Sequence, residues 1–307
     1  MIKVFKNRWF LLGILAITWG SSFIMIKKSL LVLTPYQIGS IRVAVSGLLL
    51  MFIGFPAIRK MPKKYLGWVA LSGVLGNFLP LFLFPIAQMK VSSSLTGILD
   101  SVVPVFVLIF GFIFFKISSK FIQSVGALIG FIGAAVLIYF SEPSSDGSSF
   151  GYSLLVILGA ACYAAAAVIV KQKLQNVPSI DLSAAVYTIW MFPALVILSF
   201  SGFFEEFENT KATWEGLGYL AVLTVIGTTL AMILYYKLIQ DTSAVFASTV
   251  TYLLPLVATM WGLIDGERFS IWYLAGGLLI FAGIYLIQER EPDAKCPDEE
   301  AITLTTL

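Results

Sequence analysis

The fold is decided by a stretch of sequence that occurs twice. Residues 91–116 read VSSSLTGILDSVVPVFVLIFGFIFFK, and residues 242–267 read TSAVFASTVTYLLPLVATMWGLIDGE. Pro104 and Pro255 occupy the same place in the two copies, 151 residues apart. Each copy is long and apolar enough to cross a membrane as a helix that is kinked by its central proline. We therefore predict two halves that share one plan.

The composition defines the broad class of the protein. Of the 307 residues, 59% are hydrophobic and only 12% are charged, and the mean hydropathy is +0.93. An ordinary soluble domain has about twice this charged fraction. The chain is therefore predicted to be an integral membrane protein. The net charge is +3. The Lys and Arg residues lie mainly in the links between apolar stretches and form no basic patch interleaved with aromatic residues, so no nucleic-acid partner is expected.

The absence of histidine from the sequence removes many enzymatic mechanisms. Imidazole proton relays and Ser-His or Cys-His nucleophiles are excluded, as are metal sites that need histidine. Of the two cysteines, Cys162 falls within an apolar stretch and Cys296 within the polar tail, which excludes a disulfide framework. We expect no catalytic residues, no metal and no cofactor.

The hydropathy pattern predicts an all-α membrane protein with ten transmembrane helices. They are expected at about 9–28, 35–55, 66–86, 92–115, 120–140, 150–173, 179–201, 214–237, 242–264 and 270–288. Residues 9–140 form the first five-helix repeat and residues 150–288 the second. A linker at 141–149 on the outer side of the membrane joins them, and a polar cytoplasmic tail follows at 289–307.

The distribution of positive charge predicts the orientation. With the amino terminus in the cytoplasm, most of the 20 Lys and Arg residues fall on the cytoplasmic side. The positive-inside rule therefore places both termini in the cytoplasm. Five spans per half is an odd number, so the second half enters the membrane in the opposite sense. Such inverted repeats allow a site between the halves to face either side by rocking.

Two charged residues lie well inside the predicted spans. Arg42 and Asp100 are expected roughly 10 and 12 Å below the outer ends of spans two and four, from a rise of about 1.5 Å per residue. Because a charge at this depth is costly, we expect the two side chains to pair across the bundle. The pair has two interpretations: a substrate-binding or coupling site with Asp100 as a proton carrier, or a structural salt bridge.

The prolines and several polar residues are further candidates. Pro104 and Pro255 each leave a backbone carbonyl free one turn earlier, either to face a cavity or simply as part of a packing kink. Asn77 and Thr228 occupy related places in the two halves near mid-membrane. Substrate contact and hydrogen bonding between helices explain this pair equally well.

Aromatic residues within the spans suit a pocket for an organic solute. Trp19, Tyr163 and Tyr252 are candidate contacts, because such rings stack on apolar groups and Tyr and Trp also offer a polar atom. Together with Asp100, Asn77 and Thr228, they are expected to surround a central cavity formed by spans one, three, four, six, eight and nine, and Arg42 is a further candidate for substrate binding or coupling. Most other aromatic residues are expected to face lipid or the membrane interface.

A set of motifs resembles the EamA-type family of the drug/metabolite transporter superfamily. The motifs are WGSSF at 19–23 followed by Lys27, Arg42, LDSVVPVF and TYLLPLVA around the paired prolines, and DGERFS at 265–270. The resemblance covers about residues 9–288. It implies a ten-helix inverted-repeat fold and the movement of small organic solutes, often the export of amino acids or related metabolites.

The chain departs from the family pattern at two places. Lys116 stands where the family usually has the glutamate found at Glu267 in the second half. Asp100 stands where the family more often has a neutral residue. The resemblance therefore does not supply the substrate, nor does it decide between proton coupling, exchange and passive movement.

The leading hypothesis is a secondary transporter in the plasma membrane, most simply a bacterial inner membrane. Its partners would be the lipid bilayer, a small organic solute and, as a further candidate, H+, and the protein would be a monomer or a homodimer. An intramembrane enzyme, a channel or sensor subunit, and a nucleotide-sugar-type exchanger are the alternatives. The enzyme is disfavoured because the grouped acids, at 205–208 and 298–300, lie in a link and in the tail.

Overall fold

The computed structural model describes residues 7–117, 121–140, 149–205, 207–267 and 271–288, and within them every regular element is a helix. The α-helices are α1 (Arg8–Ser29), α2 (Pro35–Lys60), α3 (Lys63–Gly73), α4 (Leu79–Gln88), α5 (Ser93–Asp100), α6 (Val103–Phe115), α7 (Phe121–Phe140), α8 (Ser149–Lys173), α9 (Ser179–Ser199), α10 (Lys211–Val222), α11 (Ala231–Asp241), α12 (Ala244–Ser248), α13 (Leu254–Ile264) and α14 (Ile271–Gln288). The prediction of an all-helical chain is confirmed for these residues.

Eight helical stretches of the described chain are long and apolar enough to cross a membrane. The chain is thus a multi-pass membrane protein. Helices α7 and α14 fall outside that set and lie where two more spans were predicted, so the number ten stays a prediction. The predicted linker at 141–149, apart from Ser149 at the start of α8, and the predicted tail at 289–307 lie outside the described residues.

Side chains at the helix starts explain where several spans begin. Thr34 and Gln37 form a capping box at the start of α2, and Pro35 occupies the first turn, where its missing N–H costs nothing. Ser92 caps α5 by accepting from the Leu95 N–H at 3.2 Å. Ser243 caps α12 in the same way at the matching place of the second half. These caps satisfy backbone donors that lipid cannot satisfy.

Matching irregularities interrupt the helices of the two halves. A π-helical turn joins α3 to α4 at Val74–Phe78, and another joins α10 to α11 at Leu223–Leu230. Residues 101 and 102 break the helix between α5 and α6, and a 3-10 segment at Thr249–Tyr252 separates α12 from α13. The halves therefore share their local departures from α-helix, as two copies of one plan should.

The prolines lie just beyond these breaks. Pro104 falls in the first turn of α6 and Pro255 in the first turn of α13. We predicted kinks within continuous helices, whereas the structure has complete interruptions. The physical reason is that a proline at the start of a helix forfeits no bond, so each span divides into two shorter helices.

Two pairs of helices join the two halves of the bundle. Helix α2 lies along α9, and α7 lies along α14. Glycines bring the partners close: a Cβ atom on Gly47 would lie 2.5 Å from the Met191 Cβ, and one on Gly133 would lie 2.8 Å from the Gly276 carbonyl oxygen. Backbones can approach this closely only where side chains are absent, as is common in membrane bundles.

The other helices make further contacts between the halves. Helix α1 contacts α11 and α13, α5 contacts α13, and α8 contacts α4 and α6. The outer surface carries large apolar side chains, such as Phe52 and Phe121, which are 78% and 85% exposed. A surface of this kind is matched to lipid, whereas the polar side chains that matter for function are turned inward.

Candidate functional site

A cavity lined by residues of both halves lies between them. Its polar wall includes Arg42, Asn77, Asp100, Tyr163, Tyr187, Thr228, Thr251 and Ser22. Its aromatic and apolar wall includes Trp19, Phe23, Phe84, Met232, Tyr235 and Leu254. An aromatic wall with a few converging polar groups is the usual form of a site for a small organic molecule.

Arg42 enters this cavity from α2 and is 5% exposed. Its Nε donates a hydrogen bond to the Thr228 hydroxyl at 3.0 Å. The Thr228 hydroxyl in turn donates to the Leu223 carbonyl, five residues earlier, at 3.1 Å, a spacing that the π-helical turn makes available. Tyr187 donates to the Thr228 carbonyl at 3.4 Å. The second half therefore fixes the position of a guanidinium that belongs to the first half.

Asp100 is the acidic group of the cavity wall. It ends α5, is 4% exposed, and faces the cavity where the helix breaks. None of the described residues donates a hydrogen bond to its Oδ1. An ionised carboxylate buried without a partner is costly. Among the described residues, Oδ1 of Asp100 therefore has no donor that would stabilise an ionised carboxylate.

The ion pair predicted between Arg42 and Asp100 is not formed. Arg42 is bonded through Nε to Thr228, and the ion pairs among the described residues leave out Asp100. The prediction was wrong because equal depth in the membrane fixes the level of a residue but not the direction in which it leaves its helix. The two charges line the same cavity and remain separate.

Hydrogen bonds join the halves at both π-helical turns. The Asn77 Nδ2 donates to the Tyr236 hydroxyl at 2.7 Å. The Trp19 Nε1 donates to the Gly227 carbonyl at 2.9 Å, and its ring meets the Tyr235 ring edge to face at a centroid distance of 4.9 Å. The two turns therefore supply the donors and acceptors that position side chains around the cavity.

The structure corrects the prediction for Tyr252. This side chain is absent from the cavity wall and packs edge to face against Phe281, with ring centroids 6.5 Å apart. The preceding residue, Thr251, lines the cavity instead. The reason is the tighter winding of the 3-10 segment at Thr249–Tyr252, which turns successive side chains by about 120°.

Helices that the sequence reasoning left out also contribute to the wall. Helix α2 contributes Arg42 to the cavity wall and helix α9 contributes Tyr187, although neither span was expected to line the cavity. Tyr187 is fully buried, and Tyr235 is 6% exposed. A tyrosine inside an otherwise apolar span was the available signal for both residues, since its hydroxyl needs a polar neighbour.

An ionic cluster lies at the end of the cavity where α1 finishes. The Lys27 Nζ lies 2.8 Å from the Asp265 Oδ2 and 2.9 Å from the Glu267 Oε1, and Lys28 forms a further ion pair with Asp265. Lys27 directly follows Ile26, which lines the cavity. The cluster joins α1 of the first half to the segment after α13 of the second.

Glu267 also caps the start of α5. Its carboxylate accepts from the Ser93 N–H at 3.0 Å, the Ser94 N–H at 3.1 Å and the Ser94 hydroxyl at 2.7 Å. Burial opposes ionisation of Glu267, but the hydrogen bonds from Lys27 and Ser94 outweigh it and hold the pKa of this carboxyl below its usual value. Hydrogen bonds from Lys27 and Lys28 hold the pKa of Asp265 below its usual value as well. Both acids are therefore ionised at neutral pH.

The fold and its central cavity define an integral membrane protein, and comparison with known proteins identifies the family. The model of the EamA-like transporter family matches residues 7–139 and 150–288. The chain belongs to the EamA-like transporter family. It is a membrane transporter and not an enzyme, which confirms the resemblance seen in the sequence.

Similar proteins carry the same general description. An uncharacterized transporter of Archaeoglobus fulgidus is 24% identical over 92% of this chain and 99% of its own length. The uncharacterized transporter YvbV of Bacillus subtilis is 27% identical over 93% and 92%. The uncharacterized inner membrane transporter YedA of Escherichia coli is 27% identical over 87% and 86%. A crystal structure with 15% identity matches 91% of this chain and 96% of its own with a TM-score of 0.63, which shows a similar fold.

Proposed function

We propose that the protein is a secondary transporter that exports small organic metabolites, most specifically amino acids or related compounds, by alternating access. The observation that supports this most strongly is that Arg42 and Asp100 line one buried cavity without pairing with each other. A cavity that presents a fixed cation and a separate anion is complementary to a solute that carries both charges.

Each charged group has a distinct role in this proposal. Arg42 uses Nε to bind Thr228, so the two Nη groups are left to bind the carboxylate of the solute in a two-pronged contact. Asp100 binds the ammonium group of the solute. The aromatic wall, including Trp19 and Tyr235, holds the side chain.

Asp100 also gives the transporter a means of coupling to protons. Its carboxylate has no protein partner at Oδ1, so its charge is offset either by a proton or by the ammonium of the solute. Competition between the two would exchange solute for protons. Proton coupling is the form of transport that we favour, with solute exchange and facilitated export as the other outcomes.

The proposed architecture is ten spans in two inverted five-helix repeats, with both termini in the cytoplasm of a bacterial inner membrane. Support comes from the matching π-helical turns at Val74–Phe78 and Leu223–Leu230 and from α7 and α14, which lie at matching places in the two halves. In an inverted repeat, rocking of one half against the other exposes a central site first to one side and then to the other.

Labelling of single cysteines tests this orientation. In a background in which Cys162 is replaced by alanine and, except where Cys296 is itself the reporter, Cys296 by serine, we expect a membrane-impermeant maleimide to label Ser145→Cys and Asn209→Cys from outside the cell. Lys63→Cys and the native Cys296 should be labelled only after the cells are opened. Ser145 and Cys296 lie outside the described residues and serve as markers for the predicted linker and tail. Labelling of Ser145→Cys and Cys296 from the same side is incompatible with an odd number of spans in each half.

Transport of metabolites in inverted membrane vesicles tests the function itself. Vesicles that contain the protein are incubated with a mixture of the twenty amino acids and other small metabolites, and their contents are measured by mass spectrometry. We expect accumulation of at least one amino acid beyond the level in vesicles that contain the Asp100→Asn, Arg42→Lys double variant. Accumulation of other solutes alone would contradict the assignment to amino acids, and accumulation of none would contradict export.

A further inference from the structure

The ionic cluster at the end of α1 adjoins the cavity. Ile26 lines the cavity, and Lys27 binds Asp265 and Glu267 from the other half. Glu267 binds the start of α5, and α5 carries Asp100 at its other end. The eight residues of α5 span about 12 Å at 1.5 Å per residue. One short helix therefore connects the cluster to the acid of the cavity.

Close packing accompanies this cluster. A Cβ atom on Gly97 of α5 would lie 2.6 Å from the Ala258 Cβ of α13. Near the cluster, a Cβ atom on Gly262 would collide with the Ser94 hydroxyl and the Glu267 carboxylate. Helices α5 and α13 thus pack closely against each other across the two halves.

The matching place at the opposite end of the molecule has different chemistry. Lys116 occupies the position that corresponds to Glu267, and a lysine side chain cannot accept hydrogen bonds from a helix start. The glycine that corresponds to Gly262 is Gly111, where an added Cβ would meet only the Ile117 side chain, at 3.4 Å for the nearest atom. Among the described residues, the carboxylate-based closure therefore lies at one end of the cavity.

We propose that Lys27, Lys28, Asp265 and Glu267 form the gate that closes this end of the cavity, with Glu267 as the residue that holds it shut. The gate rests on the proposed function, because a gate has a role only in alternating access. Opening requires Glu267 to leave Lys27 and the two N–H groups of Ser93 and Ser94. Once Glu267 no longer binds the start of α5, this helix can move and carry Asp100 with it. Opening of the gate and the change in solute binding then occur in one step.

Cysteine labelling tests the gate without any solute. The background carries Cys162→Ala and Cys296→Ser, which removes both native cysteines. Ile26→Cys, on the cavity wall, reports access, and Asn209→Cys defines the gate side of the membrane. A membrane-impermeant maleimide is added to vesicles that expose the gate side and, in a separate sample, to vesicles that expose the opposite side. Right-side-out and inverted vesicles provide the two orientations. The rate of labelling is the measurement.

The gate variants differ in what they remove. Glu267→Ala removes both the charge and the acceptor atoms, whereas Glu267→Gln keeps one acceptor for the N–H groups. Lys27→Met removes the ion-pair partner and leaves the cap of α5 intact. Glu215→Gln is the matched control, because Glu215 is an exposed carboxylate on α10 that pairs only with Lys211 among the described residues.

We expect Glu267→Ala to raise the rate of labelling of Ile26→Cys from the gate side by about tenfold or more, because several charge-assisted hydrogen bonds are lost together. Glu267→Gln and Lys27→Met should give smaller increases, and Glu215→Gln should give none. Labelling from the opposite side should fall in Glu267→Ala, because opening one end of an alternating site closes the other.

Two results would overturn the gate. An unchanged rate from the gate side in Glu267→Ala and Lys27→Met would show that the cluster does not control access. A rise from both sides together would show that the variants loosen the fold instead of opening one end. Because no solute is used, the outcome is independent of whether the protein transports amino acids, which the vesicle experiment decides separately.

Discussion

Replacement of Asp100 by asparagine is expected to abolish the accumulation of phenylalanine that a pH gradient drives in inverted vesicles. The aromatic wall of the cavity makes phenylalanine a suitable probe. Asparagine has nearly the same shape as aspartate, but it cannot take up and release a proton. Exchange of internal for external phenylalanine should remain measurable at raised concentration, because a loaded transporter can cycle without a change in protonation.

Asp181→Asn is the control for this prediction. Asp181 lies in the first turn of α9 and is not part of the cavity wall. It should leave gradient-driven accumulation unchanged. If Asp100→Asn keeps the dependence of the wild-type protein on the pH gradient, Asp100 does not carry the proton. A wild-type protein that ignores the gradient would indicate facilitated export.

Replacement of Arg42 by lysine is expected to weaken binding of solutes that carry a carboxylate, although the positive charge is kept. Lysine has no planar fork, so it can neither bind Thr228 through an Nε atom nor grip a carboxylate with two parallel N–H groups. Hydrogen bonds to charged groups contribute about 1.5–3 kcal/mol, which corresponds to a loss of affinity of roughly 10- to 100-fold.

Three related probes separate this effect from a general loss of structure. Phenylalanine carries both charges, 3-phenylpropionate carries only the carboxylate, and phenethylamine carries only the ammonium. Competition against phenylalanine transport measures their affinities. Arg42→Lys should weaken the first two and spare phenethylamine, and Arg59→Lys, at the exposed end of α2, should spare all three. Equal losses for all three probes would make Arg42 a support of the fold.

The sequence predicted the elements that depend on local rules. The long apolar helices, a departure from regular helix near Pro104 and Pro255, and the burial of Arg42 and Asp100 follow from apolar length, from the missing proline N–H and from the cost of a charge in lipid. These rules act along one helix at a time. They therefore place a residue at a depth in the membrane.

Those rules do not determine the direction in which a side chain leaves its helix. The partner of Arg42 is Thr228 instead of Asp100, and Thr251 replaces Tyr252 in the wall, because the π-helical turn and the 3-10 segment alter the angle between successive side chains. The sequence marks both places only weakly, since neither winding has a strong residue preference. Contacts between the halves depend on these angles and so required the structure.

The helix-capping role of Glu267 could not be predicted from its position in the sequence. It was recognised as a family feature at the end of a span, yet its partners are 173 and 174 residues away, at the start of α5. A carboxylate that caps a helix of the other half is produced only when the two halves are packed together. The contrast with Lys116 in the first half was visible in the sequence, and the structure supplies its physical meaning.

Counterflow of phenylalanine in proteoliposomes made with the purified protein tests the central claim most directly. Proteoliposomes are loaded with unlabelled phenylalanine or with buffer, and the uptake of labelled phenylalanine is followed over a range of concentrations. An alternating-access transporter with a single central site predicts uptake that saturates and that is accelerated by phenylalanine on the opposite side. Uptake that rises linearly with concentration and is indifferent to internal phenylalanine would contradict the account and indicate a channel.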